Sequence, residues 1–388
     1  MIKPDDFTLE DLFDAYFDCR KHKRSSLNHL AFEENLETNM MALWHDLKSG
    51  RYQIGASVAF VIKHPKIREV WAADFRDRIV HHLVCRAIAD YFYRRFIRDS
   101  YACIPERGTH YGQHRVSGFV RSISNNWTEP AYALKIDVAN FFNSIDRDIL
   151  LSIIRRHVEP GWCLELIEKI VNHDPRKNVI LRSSPDLFAQ VPVHKSLLRA
   201  PSRKGLPIGN LTSQFFANVY MNEIDQFVKH GLRAKYYGRY VDDMILFHRD
   251  PAVLNGWLRE IQTFLEESLA MKLHPNKIWL NRVNVGIDFV GFVIKPGRVY
   301  LRNHSLNRCK QKIRAWELKG SPVDVGSIDD LSHSVNSYLG MLRHVDGYSA
   351  RKALCGRVES LFVQADQDYT KIYAPKNAVN GGRLKGQA

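Results

Sequence analysis

Apolar residues recur along this chain at two spacings, and the change between them divides it. Near the N-terminus the spacing is helical. Phe7, Leu9, Leu12 and Phe13 fall on one stripe, and Leu36, Met40, Leu43 and Leu47 predict a helix over 31–47. From 52 to 72 the pattern shortens to strands, with His64-Pro65 as a hairpin loop between Val58–Lys63 and Lys66–Trp71. Asp74 then opens a long helix running through Leu83, Ile88 and Phe92. A loop at 101–110 leads to a helix over 111–122.

At 133–138 the period becomes two: Leu134, Ile136 and Val138 share one face of a strand, Lys135 and Asp137 the other. Ser144 or Asp146 caps the helix that follows. Residues 172–204, with several prolines, read as an extended connection or a small insertion. Gly205–Asn218 is a glycine-rich turn in which Thr212 or Ser213 caps a helix burying Phe215, Phe216 and Val219. Tyr236–Phe247 reads as two strands around a tight turn that carries Asp242 and Asp243. A helix from Pro251 buries Leu254, Ile261, Leu265 and Leu269 on its apolar side. A glycine-flanked hairpin spans 286–292, and helices follow over 306–318, over 331–342 behind a Ser327–Asp330 capping box, and from Ser349 to about 363. Residues 376–388 show no apolar pattern and read as a loose tail.

Composition adds less than pattern. The 388 residues are 45% hydrophobic and 25% charged, an ordinary globular mix long enough for two or three subdomains. The formal charge of +14, with a basic patch at Lys21–Arg24, favours a polyanionic partner. Six scattered cysteines form no Cys-x-x-Cys pair, which argues against a zinc knuckle or a disulfide framework. His81-His82 point apart on a helix and read as structural. His110 and His114 share a face but have no completing cysteine or acid, so no zinc site is expected. No signal peptide begins the chain and no apolar stretch approaches a membrane span.

The chemistry lies in three acids. An Asp-Asp turn by itself is a common solvated feature. With Asp137 at the end of an alternating strand, it becomes a candidate site where carboxylates repel one another unless a cation intervenes. A divalent metal with oxygen ligands is the simplest such cation.

Taken together, Asp137 on its strand, Tyr240-Val241-Asp242-Asp243 and Gly205–Asn218 resemble a reverse transcriptase of the group II intron and retron-like superfamily. The resemblance spans roughly 52–365 and is specific at those three motifs. It implies an α+β fold: a right-hand polymerase with fingers, a ferredoxin-like palm and a helical thumb. The expected subdivision is an N-terminal helical extension at 1–50, fingers at 51–130, palm at 131–298 with a fingers-side connection at 172–204, thumb at 299–375 and tail at 376–388. No ribonuclease H, maturase or endonuclease module is apparent. By resemblance, Asp137, Asp242 and Asp243 are catalytic, and with the Val138 carbonyl they hold two Mg2+ ions, for which Mn2+ substitutes. Asp243 is the less direct ligand.

The same resemblance places Lys63, Arg68 and Arg78 on the triphosphate, with Arg76 a fourth candidate. A salt bridge within 74–78 is the structural rival for these arginines. Phe142 would lie under the sugar and exclude a 2′-hydroxyl. Ile208, Gly209 and Gln214 would line the nucleotide pocket, with Lys277 near the leaving phosphates. Gly286, Gly291, Arg308 and Lys312 would meet primer and template.

Ile208-Gly209-Asn210-Leu211-Thr212-Ser213-Gln214 departs from the commoner group II pattern, with Ile208 where glutamine is usual and Gln214 where proline is usual. It resembles the reverse transcriptases of diversity-generating retroelements. These copy a template-repeat RNA into cDNA with errors opposite adenine, using dNTPs and a pentameric basic accessory variability protein. That implies a cytoplasmic enzyme, encoded by a bacterium, an archaeon or a phage. A retron or defence-associated reverse transcriptase is the enzymatic alternative, disfavoured by Ser213-Gln214. An RNA-binding scaffold is the non-enzymatic one.

Overall fold

The computed structural model describes residues 1–21, 26–64, 66–318, 325–359 and 364–373. Most of the basic patch at 21–24, Pro65 of the expected hairpin loop, residues 360–363 and the expected tail at 376–388 lie outside the described residues. The chain is an α+β fold of two compact units. The first comprises 1–108 and 134–280, the second 109–133 and 281–388.

The first unit begins with α1 (Leu9–Arg20). Thr8 starts it through a reciprocal cap: its hydroxyl accepts from the Asp11 amide, and the Asp11 carboxylate accepts from the Thr8 amide. The single helix expected over 31–47 is two helices, α2 (Leu27–Glu33) and α3 (Leu36–Lys48), broken at Asn35 with φ −128° and ψ 48°. No glycine or proline marks the break. It turns both Phe32 and Met40 into a core shared with Tyr16 and Phe75, so tertiary packing overrides local helix preference there.

β1 (Ser57–Ile62) and β2 (Arg68–Ala72) pair antiparallel as the alternation predicts, with Ile62 opposite Arg68. Asp74 caps α4 (Phe75–Tyr93) by accepting from the Arg76 amide. The helix buries Phe75, Ile79, Leu83, Ile88 and Phe92. His81 is buried within it.

Beyond α5 (Thr109–Ile123) comes β3 (Tyr132–Asp137), whose alternation is as expected: Leu134, Ile136 and the following Val138 are buried. A one-turn α6 (Phe141–Ser144) precedes α7 (Arg147–Arg155), and Asp146 caps α7 by accepting from the Asp148 and Ile149 amides. α8 (Trp162–Asn172) follows.

Residues 172–204 are more than a connection. They supply β4 (Val179–Leu181), which pairs parallel with β1 to give the order β2-β1-β4, and then α9 (Pro185–Ala189). The buried Glu69 carboxylate anchors this segment by accepting from the Leu197 amide at 2.8 Å and from the Ser196 hydroxyl. Arg147 pins its ends by donating to the Gly205 and His173 carbonyls.

α10 (Leu211–Gln226) starts at Asn210, not at Thr212 or Ser213, which are buried inside its first turn. Asn210 makes no cap bond, because its side-chain oxygen accepts from the Ala73 amide at 3.0 Å. The remaining elements of this part are β5 (Tyr236–Tyr240), β6 (Asp243–His248), α11 (Pro251–Leu269) and β7 (Trp279–Arg282). They complete a four-stranded sheet in the order β5-β6-β3-β7. The ordering places β3 directly beside β6, so the Asp137 strand neighbours the strand that Asp243 begins.

The second unit holds a meander of β8 (Ile287–Phe289), β9 (Phe292–Lys295) and β10 (Arg298–Leu301) in the order β10-β9-β8. α12 (Asn303–Glu317), α13 (Val325–Leu342) and α14 (Tyr348–Glu359) follow, then a short ribbon of β11 (Gln364–Ala365) and β12 (Ile372–Tyr373). α13 is already helical at Val325, so the expected capping box at 327–330 lies inside the helix instead of preceding it. The core of this unit gathers Phe292, Leu301, Ile313, Val335, Leu339 and Leu354.

Candidate active site

The β5–β6 hairpin is closed by the pair Tyr240 and Asp243. The turn is therefore Val241-Asp242, and Asp243 is the first residue of β6 instead of a turn residue. Val241 has φ +58°, and Asp242 is not among the residues with positive φ. Positive φ at the first turn position alone is the pattern of a type II′ hairpin, a position that favours glycine. A β-branched residue there is strained.

Asp242 and Asp243 are half-buried at this tip. Burial, together with the negative charge of Asp137, pushes the Asp242 carboxyl up to about 6. Burial also pushes Asp243 up to about 6, against the opposing pull of Lys135. Lys135 Nζ lies 3.2 Å from Asp243 Oδ2, and Lys277 Nζ lies 2.7 Å from Asp137 Oδ1. The other oxygen of Asp243, Oδ1, is buried with no hydrogen-bond partner. The three acids thus bear on one another, and what balances them is two lysines.

Lys277 is brought there by the chain after α11. The Ala139 amide donates to the Lys272 carbonyl and the His274 amide to the Asp137 carbonyl, both at 2.8 Å, framing a Val138–Leu273 bridge. Neither bond uses the Val138 carbonyl.

Among the described residues no three His, Cys, Asp or Glu side chains are gathered closely enough to hold a metal by themselves. The donor set nonetheless fits a hard cation: carboxylates with raised pKa, one orphaned oxygen, and lysines supplying positive charge where a cation would. Mg2+ takes few protein ligands and completes its shell with water and phosphate oxygens.

A small cleft opens beside the hairpin, lined by Phe141, Phe142, Cys103, Gln214, Asn218, Arg239 and Val241. Phe142 is half-buried and Gln214 exposed in the first turn of α10, where the Cys103 thiol donates to Gln214 Oε1 at 3.5 Å. Ile208 and Gly209 sit on the preceding loop. The Trp71 amide of β2 donates to the Ile208 carbonyl at 2.7 Å. Gly209 has φ +131°, and a Cβ there would lie 2.8 Å from the Trp71 carbonyl oxygen, so only glycine allows this approach.

Of the expected triphosphate residues, Lys63 and Arg68 are exposed on either side of the β1–β2 loop. Arg78 is half-buried in α4, its guanidinium 5.6 Å from the Phe75 ring centre. Arg76 is claimed by structure: it pairs with Asp46 at 2.6 Å and donates to the Gln53 carbonyl. In the second unit Gly286 and Gly291 flank β8 with φ +110° and +92°. Arg308 and Lys312 lie on α12, where Lys312 donates to the Ser334 hydroxyl.

Sequence reasoning missed three features. Lys135 was placed on the Asp137 face, yet its pairing with Asp243 depends on β3 lying beside β6. The Cys103 contact joins residues 111 apart in sequence. Arg239 is buried in β5 against Asp225, and its only sequence signal is a charge inside an otherwise apolar strand.

No curated protein matches the sequence. Among the described residues no helix is long and apolar enough to cross a membrane. The model of the family described as reverse transcriptase (RNA-dependent DNA polymerase) matches residues 62–294, well over half of the chain, and takes in β3, the glycine loop and the Asp242 hairpin. With the acid-bearing hairpin beside the acid-bearing strand, and a family match that covers both, this chain belongs to the reverse transcriptase family.

Proposed function

We propose that this reverse transcriptase serves a diversity-generating retroelement, copying a template-repeat RNA into adenine-mutagenised cDNA. What supports the reading is Gln214 in the wall of the cleft beside the hairpin, with Ile208 on the loop that leads into the same helix. Ile208 is held by its backbone to β2, and Gln214 lies in the first turn of α10 in the cleft wall. An apolar side chain replaces an amide that could orient the nucleotide or template. Selectivity falls when such a contact is absent.

In this reading 1–50 is an N-terminal extension, 51–130 the fingers, 131–298 the palm and 299–375 the thumb, the layout of a right-hand polymerase. Asp137 and Asp242, with the Val138 carbonyl and Asp243, would hold two Mg2+ ions, whose chemistry there would be activation of a primer 3′-hydroxyl and stabilisation of the leaving pyrophosphate. Lys277 and Lys135 supply positive charge beside the acids, and with a cation held at Asp137 the Lys277 ammonium would be free to meet phosphate oxygens. Phe142 excludes the 2′-hydroxyl by occupying its space. Lys63, Arg68 and Arg78 supply charge for the triphosphate, Arg through a fork of donors. Gly286 and Gly291 let backbone approach the primer, and Arg308 and Lys312 on α12 contact phosphates without reading sequence. Template-repeat RNA, dNTPs and a pentameric basic accessory protein are the partners of this reading.

The test is primer extension on an RNA template rich in adenine, with Mg2+, by the wild type and by Asp137→Asn and Asp242→Asn. The expected result is extension with errors concentrated opposite adenine, reduced at least about a thousandfold in both folded variants. Faithful copying opposite adenine would assign the protein to the retron or defence-associated class. Absence of extension by the wild type would leave an RNA-binding scaffold.

A further inference from the structure

Behind the Asp242 turn lies a fully buried guanidinium. Arg239 is 0% exposed, as is Asp225 on α10. Its Nε and one terminal nitrogen bind the two oxygens of Asp225 at 2.8 and 2.7 Å. The same terminal nitrogen, Nη2, reaches the Ser100 hydroxyl at 3.1 Å, and Nη1 donates to Asn218 Oδ1 at 3.3 Å and to the Val241 carbonyl at 2.8 Å. The frame around it is equally committed. Tyr237 donates to Asp225, Asn218 donates to the Ala102 carbonyl, and the Arg239 amide and carbonyl bond the chain at Asp99 and Tyr101.

The bond to Val241 goes beyond what a stabilising ion pair needs and is the one that reaches the turn. Val241 is the turn residue with φ +58°, a conformation its branched side chain resists. Its carbonyl belongs to the peptide that joins it to Asp242. Fixing that oxygen fixes the plane of the peptide and with it the positions of the Asp242 nitrogen and Cα, from which its side chain leaves.

We propose that Arg239 is a positioning residue. Its guanidinium, anchored on Asp225, clamps the Val241 carbonyl, holds the strained turn and aims the Asp242 carboxylate at the metal. This rests on the reading of Asp242 as a metal-holding acid. It explains why a guanidinium occupies the site. Lysine would satisfy the charge of Asp225 but lacks the planar fork that reaches Asp225, Ser100 and Val241 at once. Strain held at a functional site by over-determined surroundings is the general pattern.

The experiment compares the wild type with Arg239→Lys and with Arg239→Lys/Val241→Gly. Three readouts are taken: Mn2+ binding alone by electron paramagnetic resonance, steady-state primer extension, and thermal melting. Arg239→Lys keeps charge balance in the core. Its Mn2+ affinity and kcat are expected to fall about tenfold or more, with the KM for dNTP moving less. Glycine adopts positive φ without strain, so Val241→Gly is expected to recover most of both losses. If Arg239→Lys does not fold, Arg239→Met/Asp225→Leu removes the pair together and takes its place, with and without Val241→Gly.

A folded variant with wild-type Mn2+ affinity and kcat, or one changed only in melting temperature, would overturn the role of Arg239. So would a glycine double variant as impaired as its parent. A wild type that neither binds Mn2+ nor extends a primer would instead overturn the polymerase reading of Asp242.

Discussion

Asp225 on α10 and Asp242 at the β5–β6 tip are both acids drawn out of water, linked through Arg239, which binds the first and precedes the second by three residues, and the fold treats them in opposite ways. Asp225 has a bidentate guanidinium and the Tyr237 hydroxyl. Asp242 has the repulsion of Asp137 and Asp243 and sits beside a backbone residue in a strained conformation. A buried carboxylate that the protein fully satisfies is a structural part. One held against two neighbouring negative charges at a hairpin tip, beside an acid with an orphaned oxygen, is a place prepared for something else. The difference can be broken at either acid.

The largest effect is expected at the satisfied acid. Asp225→Ala strands Arg239 as an unpaired buried charge and leaves the Tyr237 hydroxyl without its acceptor. The expected cost is about 3–5 kcal/mol of stability, read by chemical denaturation of the first unit's signal. Asp242→Asn is expected to do the reverse, stabilising the metal-free protein at neutral pH by on the order of 1–3 kcal/mol while abolishing extension. Equal destabilisation by both variants would remove the distinction between the two acids.

The second expectation carries a pH signature. Burial pushes the Asp242 and Asp243 carboxyls up to about 6 in the folded state, above the ordinary carboxylate value of 3.8. The native state therefore binds more protons than the unfolded chain between those values. Stability from these groups falls as pH rises through that window, and the full penalty applies above it. The gain of Asp242→Asn over wild type should be largest at pH 7–8 and vanish below about pH 4. Mg2+ should shrink it at pH 8, since a cation that binds only the folded wild type restores what repulsion removes. A gain independent of pH would point to packing instead.

The same contrast explains which parts were legible in the sequence. The alternation Leu134, Ile136, Val138 and the run around Tyr240–Asp243 are local patterns with one dominant reading, and both strands form as expected. Asp146 and Asp74 cap helices through bonds to amides two or three residues on, which the local sequence is enough to set. Asn210 fails as a cap for the opposite reason: a backbone amide 137 residues away takes its oxygen. The break at Asn35 and the addition of β4 to β1 likewise depend on distant partners. At the site, the acids could be named from their flanks. Lys135 opposite Asp243 and Arg239 under Val241 could not, because each exists only once β3, β6 and α10 have been assembled.

The cleft beside the hairpin repeats the contrast in its walls. Asn218 and Arg239 at the back are committed to the fold, so their donors are not available to read a ligand. The front is Phe142, a ring with no polar group. Discrimination at that ring is by exclusion. Phe142→Ala should admit ribonucleotides, raising their incorporation relative to deoxynucleotides by about ten- to a hundredfold in competition assays. Unchanged discrimination would move sugar selection elsewhere.

The smallest expected effect concerns base selection. Ile208 is attached to β2 through its carbonyl, so its side chain can be exchanged without loss of that bond, and neighbouring Gly209 keeps the loop against Trp71. Ile208→Gln therefore tests one amide on a fixed backbone. If an unoccupied hydrogen-bond position underlies low fidelity, the added amide should lower misincorporation opposite adenine by several-fold, equivalent to about 1 kcal/mol of regained discrimination. Sequencing of cDNA made from one adenine-rich template by both proteins reads this directly. Total extension should change little, because neither the acids nor their clamp is touched. An error spectrum identical to wild type would separate adenine errors from Ile208, and would leave the satisfied and unsatisfied carboxylates as a description of catalysis alone.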